Sequence, residues 1–404
     1  MGRMLGGGLY PKGRRIKGVQ RIYLDHNATT PLDARVVEAM LPVLREDFGN
    51  PSSIHWFGQQ ARARLDDARA SVARLLGAST QEIVFTGSGT EADNLALRGA
   101  AALARAPRRG IVVSGIEHHA VLNTAKALRD EGFPLEIVRA REDGRVDMDA
   151  LRAAVGPGTA LVAVMLANNE TGVVQPIEEV VALARRHGAL VHCDVVQAAG
   201  KLALDLHALG VDTAAVSAHK LCGPKGVGAL YVRRGTRLAP LLRGGSQEKN
   251  RRSGTENVAG IVGFGKAAEL ALAERESNAA RLGALRDRLE RGLLEIPGAA
   301  VNGGGPRVPN TCNISFEGVE AESLLMALDL AGLAVSTGAA CAAGAVEPSH
   351  VLRAMGLQPE RVQASLRLSL GPSTRDDEVE QAERLVAKAV AQQRARRGAP
   401  AARA

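Results

Sequence analysis

Four short apolar runs stand out along the chain: Ile111 to Ser114, Ala160 to Leu166, Ala189 to Asp194 and Ala214 to Ser217. Helical stretches alternate with them. That alternation predicts an α/β fold built on a mostly parallel sheet with crossover helices. Glu82 to Thr86 reads as a further short buried strand, turning at Gly87-Ser88-Gly89-Thr90 into an Ala-rich helix that opens at Glu91. From Ile261 to Ile296, Leu270, Leu272, Leu282, Leu285, Leu289 and Leu293 mark one long amphipathic helix leading to a second, smaller domain. A chain of 404 residues is too long for one ordinary core, so two domains are expected.

Composition narrows this further. Hydrophobic residues make up 46% of the chain but aromatics only 2%, so the core must rest on Ala, Val and Leu. The net charge of +8 suggests a nucleic-acid partner until its distribution is read. Ten positive charges and no acid lie in residues 1–21 and 392–404, so the body between them carries −2. The body is no basic platform, and no series of stacking aromatics accompanies the arginines. Both tails, Gly-rich at one end and Ala/Arg/Pro-rich at the other, are expected to be disordered. No apolar run reaches the roughly 18 residues of a membrane helix, and the N-terminus lacks the apolar core of a secretory signal. Four dispersed cysteines, without a Cys-x-x-Cys pair, suggest a reducing cytoplasm and argue against a zinc site.

The candidate chemistry centres on Lys220, in Ser217-Ala218-His219-Lys220 followed by Leu221-Cys222-Gly223-Pro224-Lys225-Gly226. A lysine on a tight turn after an apolar strand, preceded by a hydroxyl and an imidazole, is suited to hold pyridoxal phosphate as a Schiff base. Upstream, the strand from Ala189 ends in Asp194, an acidic partner for the cofactor's pyridine nitrogen, although Asp is also a favoured helix cap. The Gly87 to Thr90 turn offers freed backbone N–H groups at a helix start, with close approach allowed by glycine, as an anion site. The same stretch scans as Gly-x-Gly-x-x-Ala. A dinucleotide site, however, wants an acid about 20 residues on at the end of the next strand, and the first acid past that strand is Glu117.

Ordered blocks carry a resemblance over nearly the whole chain from Tyr23. They are Tyr23 to Pro31, Phe48 to Ser53, Thr86 to Asn94, Glu117-His118, Asn168 to Gly172, Asp194 to Gln197, Ser217 to Lys220, Arg252 to Asn257 and Ser365 to Ser369. In this order they closely resemble the cysteine desulfurases of the NifS/IscS group. The resemblance implies a pyridoxal phosphate-dependent transferase of fold type I, with a large domain on a seven-stranded, mostly parallel sheet and a smaller α+β domain. It implies Lys220 as the Schiff-base lysine, Asp194 on the pyridinium nitrogen, Gln197 on the phenolic oxygen and His118 over the ring face. Gly89, Thr90, Ser217 and His219 would hold the phosphate, joined by Thr255 from the other subunit of a homodimer. Asn169 and Arg367 would grip the substrate, the arginine as a clamp on its α-carboxylate.

Cys341, in Ser336-Thr337-Gly338-Ala339-Ala340-Cys341-Ala342-Ala343-Gly344, is the discriminating residue. Small neighbours suit a thiol that swings between the cofactor and an external acceptor. The resemblance makes it the persulfide-forming cysteine, with Lys220 moving the substrate's α-proton, His118 shuttling a proton to a thiol, and L-cysteine converted to L-alanine. The sulfur would pass to an iron–sulfur scaffold or another acceptor protein. A selenocysteine lyase or another aminotransferase-like enzyme is the alternative. The expected organisation is a disordered extension over 1–21, a segment at 22–35 associated with the small domain, a large cofactor-binding domain over 36–272, a small domain carrying the cysteine loop over 273–391, and a disordered tail over 392–404.

Overall fold

The structure is a computed structural model that describes residues 21–338, 341–342, 345–346 and 348–398. Its centre is a seven-stranded sheet of β1 (Ile83–Thr86), β2 (Gly110–Ser114), β3 (Leu135–Val138), β4 (Thr159–Ala163), β5 (Leu190–Asp194), β6 (Thr213–Ser217) and β7 (Gly228–Val232). The spatial order is β1-β7-β6-β5-β4-β2-β3, and β7 alone runs against its neighbours. β1, β6 and β7 are buried at every position, as continuous apolar runs covered on both faces should be. Alternate side chains feed two cores. Val112, Val162, Val191 and Ala214 join one, and Ile111, Leu161, Ala215 and Leu230 join the other.

One helix of 37 residues, Val258–Leu294, ties these layers to the second domain. At 1.5 Å per residue it is about 55 Å long. Ile261, Phe264, Ala267 and Ala268 bury into the sheet core, whereas Leu282, Leu285, Leu289 and Leu293 bury into a separate cluster. That cluster covers a three-stranded antiparallel sheet of β8 (Ala299–Val301), β9 (Thr311–Phe316) and β10 (Ser365–Ser369), closed by the helices Ala321–Leu330 and Asp376–Gly398. Ile22 and Leu24 join it too, and Ile22–Tyr23 pairs in parallel with Leu333–Ala334.

Two expectations change. Glu82 closes a 3₁₀ turn, and its carboxylate accepts the Ser79 N–H at 2.9 Å; the strand begins at Ile83. The tail expected from residue 392 is helical as far as Gly398, because its Ala and Arg residues extend a helix already anchored by Val379, Val386 and Val390. Residues 399–404 and the extension over residues 1–20 lie outside the described residues.

Candidate active site

The carboxyl ends of β5 and β6 open onto a cavity of about 370 Å³. Asp194 closes β5 and Ser217 closes β6, and the turn after β6 brings His219 and Lys220 to the rim. Ligands bind at this end of such sheets because neighbouring chain connections diverge there.

The first helical turn after β1 forms another wall. Ser88 caps the helix Gly89–Ala101 by accepting the Glu91 N–H at 3.1 Å, so the N–H groups of Gly89 and Thr90 are left at the helix start, beside the cavity they line. A Cβ on Gly89 would lie 3.1 Å from Val196 Cγ2 and 3.4 Å from Ser217 Cβ. Glycine is what lets the helix start sit this near the end of β6.

Lys220 Nζ donates to Ala28 O at 2.7 Å and to Asn27 O. Burial, then the Arg367 charge, pushes its pKa down to about 8, while Asp194 and Asp25 pull the other way. The amine therefore gives up its proton more readily than an ordinary lysine, reaching the neutral state that can attack an aldehyde or accept a proton. Asp194 accepts the Val196 N–H at 2.8 Å, and burial raises its carboxyl above the usual range despite that bond and Lys220. His118 caps the helix His119–Asp130, its Nδ1 accepting the Ala120 N–H at 3.1 Å. Burial, Lys220 and the neighbouring His119 and His350 push it down to about 4. It is thus a neutral imidazole with its proton on Nε2. The cap role and a place in the cavity wall coincide in one residue. His219 is also pushed down to about 4 by burial, and its Nδ1 lies 3.1 Å from Thr29 Oγ1.

Asn169 and Arg367 come from distant segments to the same cavity. Arg367 on β10 donates to Asp25 Oδ1 at 2.7 Å and to Asn169 O at 3.0 Å. Among the described residues, its Nε and the Asn169 Oδ1 are buried without a hydrogen-bond partner. Unmet polar atoms beside a cavity call for a polar ligand. Together with an amine, a buried carboxylate and a helix start flanked by hydroxyls, they fit pyridoxal phosphate carrying an amino acid.

Two expected residues are not among the described residues that line this cavity. Thr255 is exposed and shares a shallow surface depression with Phe48 and Asn50. Cys341 stands in the two-residue strand Cys341–Ala342, opposite Val346 of Ala345–Val346, and its side chain lies outside the described residues. The segment leading towards it does reach the site, since Ser336 and Gly338 line the cavity. Cys193 and Cys312 are fully buried with thiols pushed up by burial, and the half-buried Cys222 is pushed up as well.

Sequence reasoning assigned no role to Asn27. Its carbonyl accepts from Lys220 Nζ and, at 3.0 Å, from Gln197 Nε2, while its side chain donates to Thr311 Oγ1 at 2.8 Å and Asn169 O at 3.1 Å. Asn27 thereby joins the lysine, the Asn169 segment and the small domain. Its only signal was its place within the Tyr23 to Pro31 block.

Residues 22–382 match the family described as aminotransferase class-V. A cysteine desulfurase from Nostoc sp. is 49% identical over 361 residues, which cover 89% of this chain and 90% of the relative. A cysteine desulfurase IscS from Anaeromyxobacter sp. is 50% identical, over 91% of this chain and 92% of that one. A solved NifS-like protein superposes with a TM-score of 0.87 at 38% identity, over 92% of this chain and 100% of its own. SspA, solved in complex with cysteine, gives 0.77 at 33% identity, over 87% of this chain and 99% of its own.

Proposed function

The chain belongs to the class-V aminotransferase family, and from that premise we propose that it is a pyridoxal phosphate-dependent cysteine desulfurase acting on L-cysteine. The observation that carries the reading is the convergence of Lys220, Asp194, the Gly89 helix start and Arg367 on one cavity. Relatives named for this activity match it at about half identity over most of the chain.

Lys220 is the amine that would hold the cofactor's aldehyde, with Asp194 to partner its pyridine nitrogen and Gln197 its phenolic oxygen. Gly89, Thr90, Ser217 and His219 would hold the phosphate. When bound, the cofactor supplies an electron sink for bond cleavage next to the substrate's amine. Arg367 and Asn169 bind the substrate's carboxylate, and the lowered pKa of Lys220 suits it to carry the Cα proton. His118, neutral with Nε2–H, carries a proton between thiol and cavity. Cys341, as thiolate, attacks the substrate sulfur; an S–S bond forms as the Cβ–S bond breaks, leaving a persulfide on the protein and, after protonation, L-alanine.

The active unit is a homodimer in which Thr255 reaches the partner's phosphate site. Support comes from the surface beside it, where Leu44, Phe48, Ile54 and Trp56 are exposed and Phe57 stacks on Phe48 with ring centres 5.1 Å apart. In a chain with only six Phe and one Trp, such a patch on an isolated surface is costly. The boundary between large and small domains falls at 272/273, supported by the change of core along the helix Val258–Leu294. The persulfide passes to an iron–sulfur scaffold or another acceptor protein in the cytoplasm; among the described residues no helix is long and apolar enough to cross a membrane.

The test supplies L-cysteine or L-selenocysteine to the cofactor-loaded protein with a reductant. Alanine and sulfide in equal amounts from cysteine support the reading. Alanine from selenocysteine alone makes it a selenocysteine lyase, and a keto acid in place of alanine makes it a transaminase.

A further inference from the structure

Beside the active site lies a second, smaller cavity of about 80 Å³, which shares Lys220 with the first and is also lined by Lys201, Cys222 and His26. Lys201 lines only this smaller cavity and Gln197 only the larger. A helix-like turn after β5, with Ala199 N donating to Val195 O at 2.9 Å, brings these two side chains together at a spacing of four residues. Lys201 Nζ donates to Gln197 Oε1 at 2.8 Å and to Asn27 Oδ1 at 3.1 Å.

The two neighbours of the Gln197 carboxamide leave it one orientation. An ammonium only donates, so the atom facing Lys201 is the amide oxygen; a backbone carbonyl only accepts, so the atom 3.0 Å from Asn27 O is the amide nitrogen. That nitrogen carries two hydrogens, and Asn27 takes one. The other remains on a buried residue of the cavity wall. We propose that Lys201 is a positioning residue that holds the Gln197 carboxamide so that its N–H, and never its oxygen, faces the cofactor's phenolic oxygen. Without Lys201 only the Asn27 carbonyl, already shared with Lys220 Nζ, still resists rotation of the carboxamide; the flipped form sets its oxygen against the phenolate, where two acceptors repel.

The inference rests on the proposed placing of Gln197 at the phenolic oxygen. A donor on that oxygen stabilises its negative charge and lowers the basicity of the adjoining nitrogen linked to Lys220, a quantity read as the pH midpoint of the cofactor's visible band. Lys201→Met, Gln197→Leu and the double variant are titrated as cofactor-loaded proteins. Gln197→Leu raises the midpoint by about one pH unit, the worth of one hydrogen bond to a charged oxygen. Lys201→Met raises it similarly, and in the Gln197→Leu background it adds less than half as much. Equal shifts in both backgrounds overturn the proposal, because Lys201 would then act by its charge and not through Gln197. A midpoint unmoved by Gln197→Leu overturns it at the first step, while alanine formation in the same samples judges the proposed function separately. Should Lys201→Met fail to load cofactor, Lys201→Arg keeps the charge but moves the donor. A shift only when Gln197 is present supports the proposal; no shift, or the same shift without Gln197, contradicts it.

Discussion

Ser349 Oγ donates a hydrogen bond of 2.5 Å to the buried carboxylate of Glu170. The same carboxylate oxygen lies 2.5 Å from where a Cβ on Gly338, at φ +84°, would stand. Both ends of the segment carrying Cys341 thus meet one side chain, and that side chain follows Asn169 of the cavity wall. Replacing Glu170 by Ala frees both ends. Alanine formation is expected to fall between about tenfold and a hundredfold, the cost of misplacing a reacting group by about an ångström. The cofactor band should be retained; steady-state kinetics and a visible spectrum check both.

Arg69 forms a two-pronged ion pair with Glu248, at 2.6 and 2.7 Å, and Glu248 also accepts the Phe85 N–H at 2.9 Å. Both side chains are buried, and the pair anchors three consecutive left-handed residues, Glu248, Lys249 and Asn250, at φ 45°, 58° and 63°. Arg69→Met leaves a buried carboxylate unpaired beneath a strained turn. A loss of about 3–5 kcal/mol is expected in urea unfolding.

Glu117 is buried, accepts from Ser114 Oγ and from Met165 N, and among the described residues its other oxygen has no partner. Burial pushes its pKa from 4.5 to about 8. Between those values the folded chain holds a proton that the unfolded chain has released, so this group's contribution to stability is lost as pH rises through the window. Glu117→Gln should therefore match the parent near pH 4 and exceed it near pH 8. Thermal unfolding across that range reads the difference.

The exposed rings of Phe48 and Trp56 offer a test of the dimer. If the proposed homodimer brings the partner's Thr255 to the phosphate, Phe48→Ser with Trp56→Ser is expected to yield monomers in sedimentation and to weaken cofactor binding at least tenfold. Dimers with unchanged cofactor affinity would refute that interface.

What the sequence made legible follows from physical range. The ends of β5 and β6 and the glycine turn after β1 were readable, since apolar runs ending in Asp194 and Ser217 and a turn at Gly87 to Thr90 are local signals. The edge strand β3, with Glu136 and Ile137 exposed, carried too little pattern to single out, and the apolar run of β7 does not encode its antiparallel direction. The Asn27 junction, the Lys201 bond to it and the Glu170 clamp were invisible, because each joins residues more than 140 positions apart. No spacing rule encodes such distances. The helix end at Gly398 was misread because an Ala/Arg composition suits a helix as well as a disordered tail.

The central claim is that sulfur leaves cysteine onto Cys341. The most direct measurement exposes the cofactor-loaded protein to L-cysteine without reductant, then reads the mass of the Cys341 peptide in the parent and the alanine released by Cys341→Ala. The account predicts one added sulfur atom on Cys341 and loss of alanine formation in the variant, with the cofactor band intact. An unmodified Cys341 together with full alanine release by the variant would contradict it.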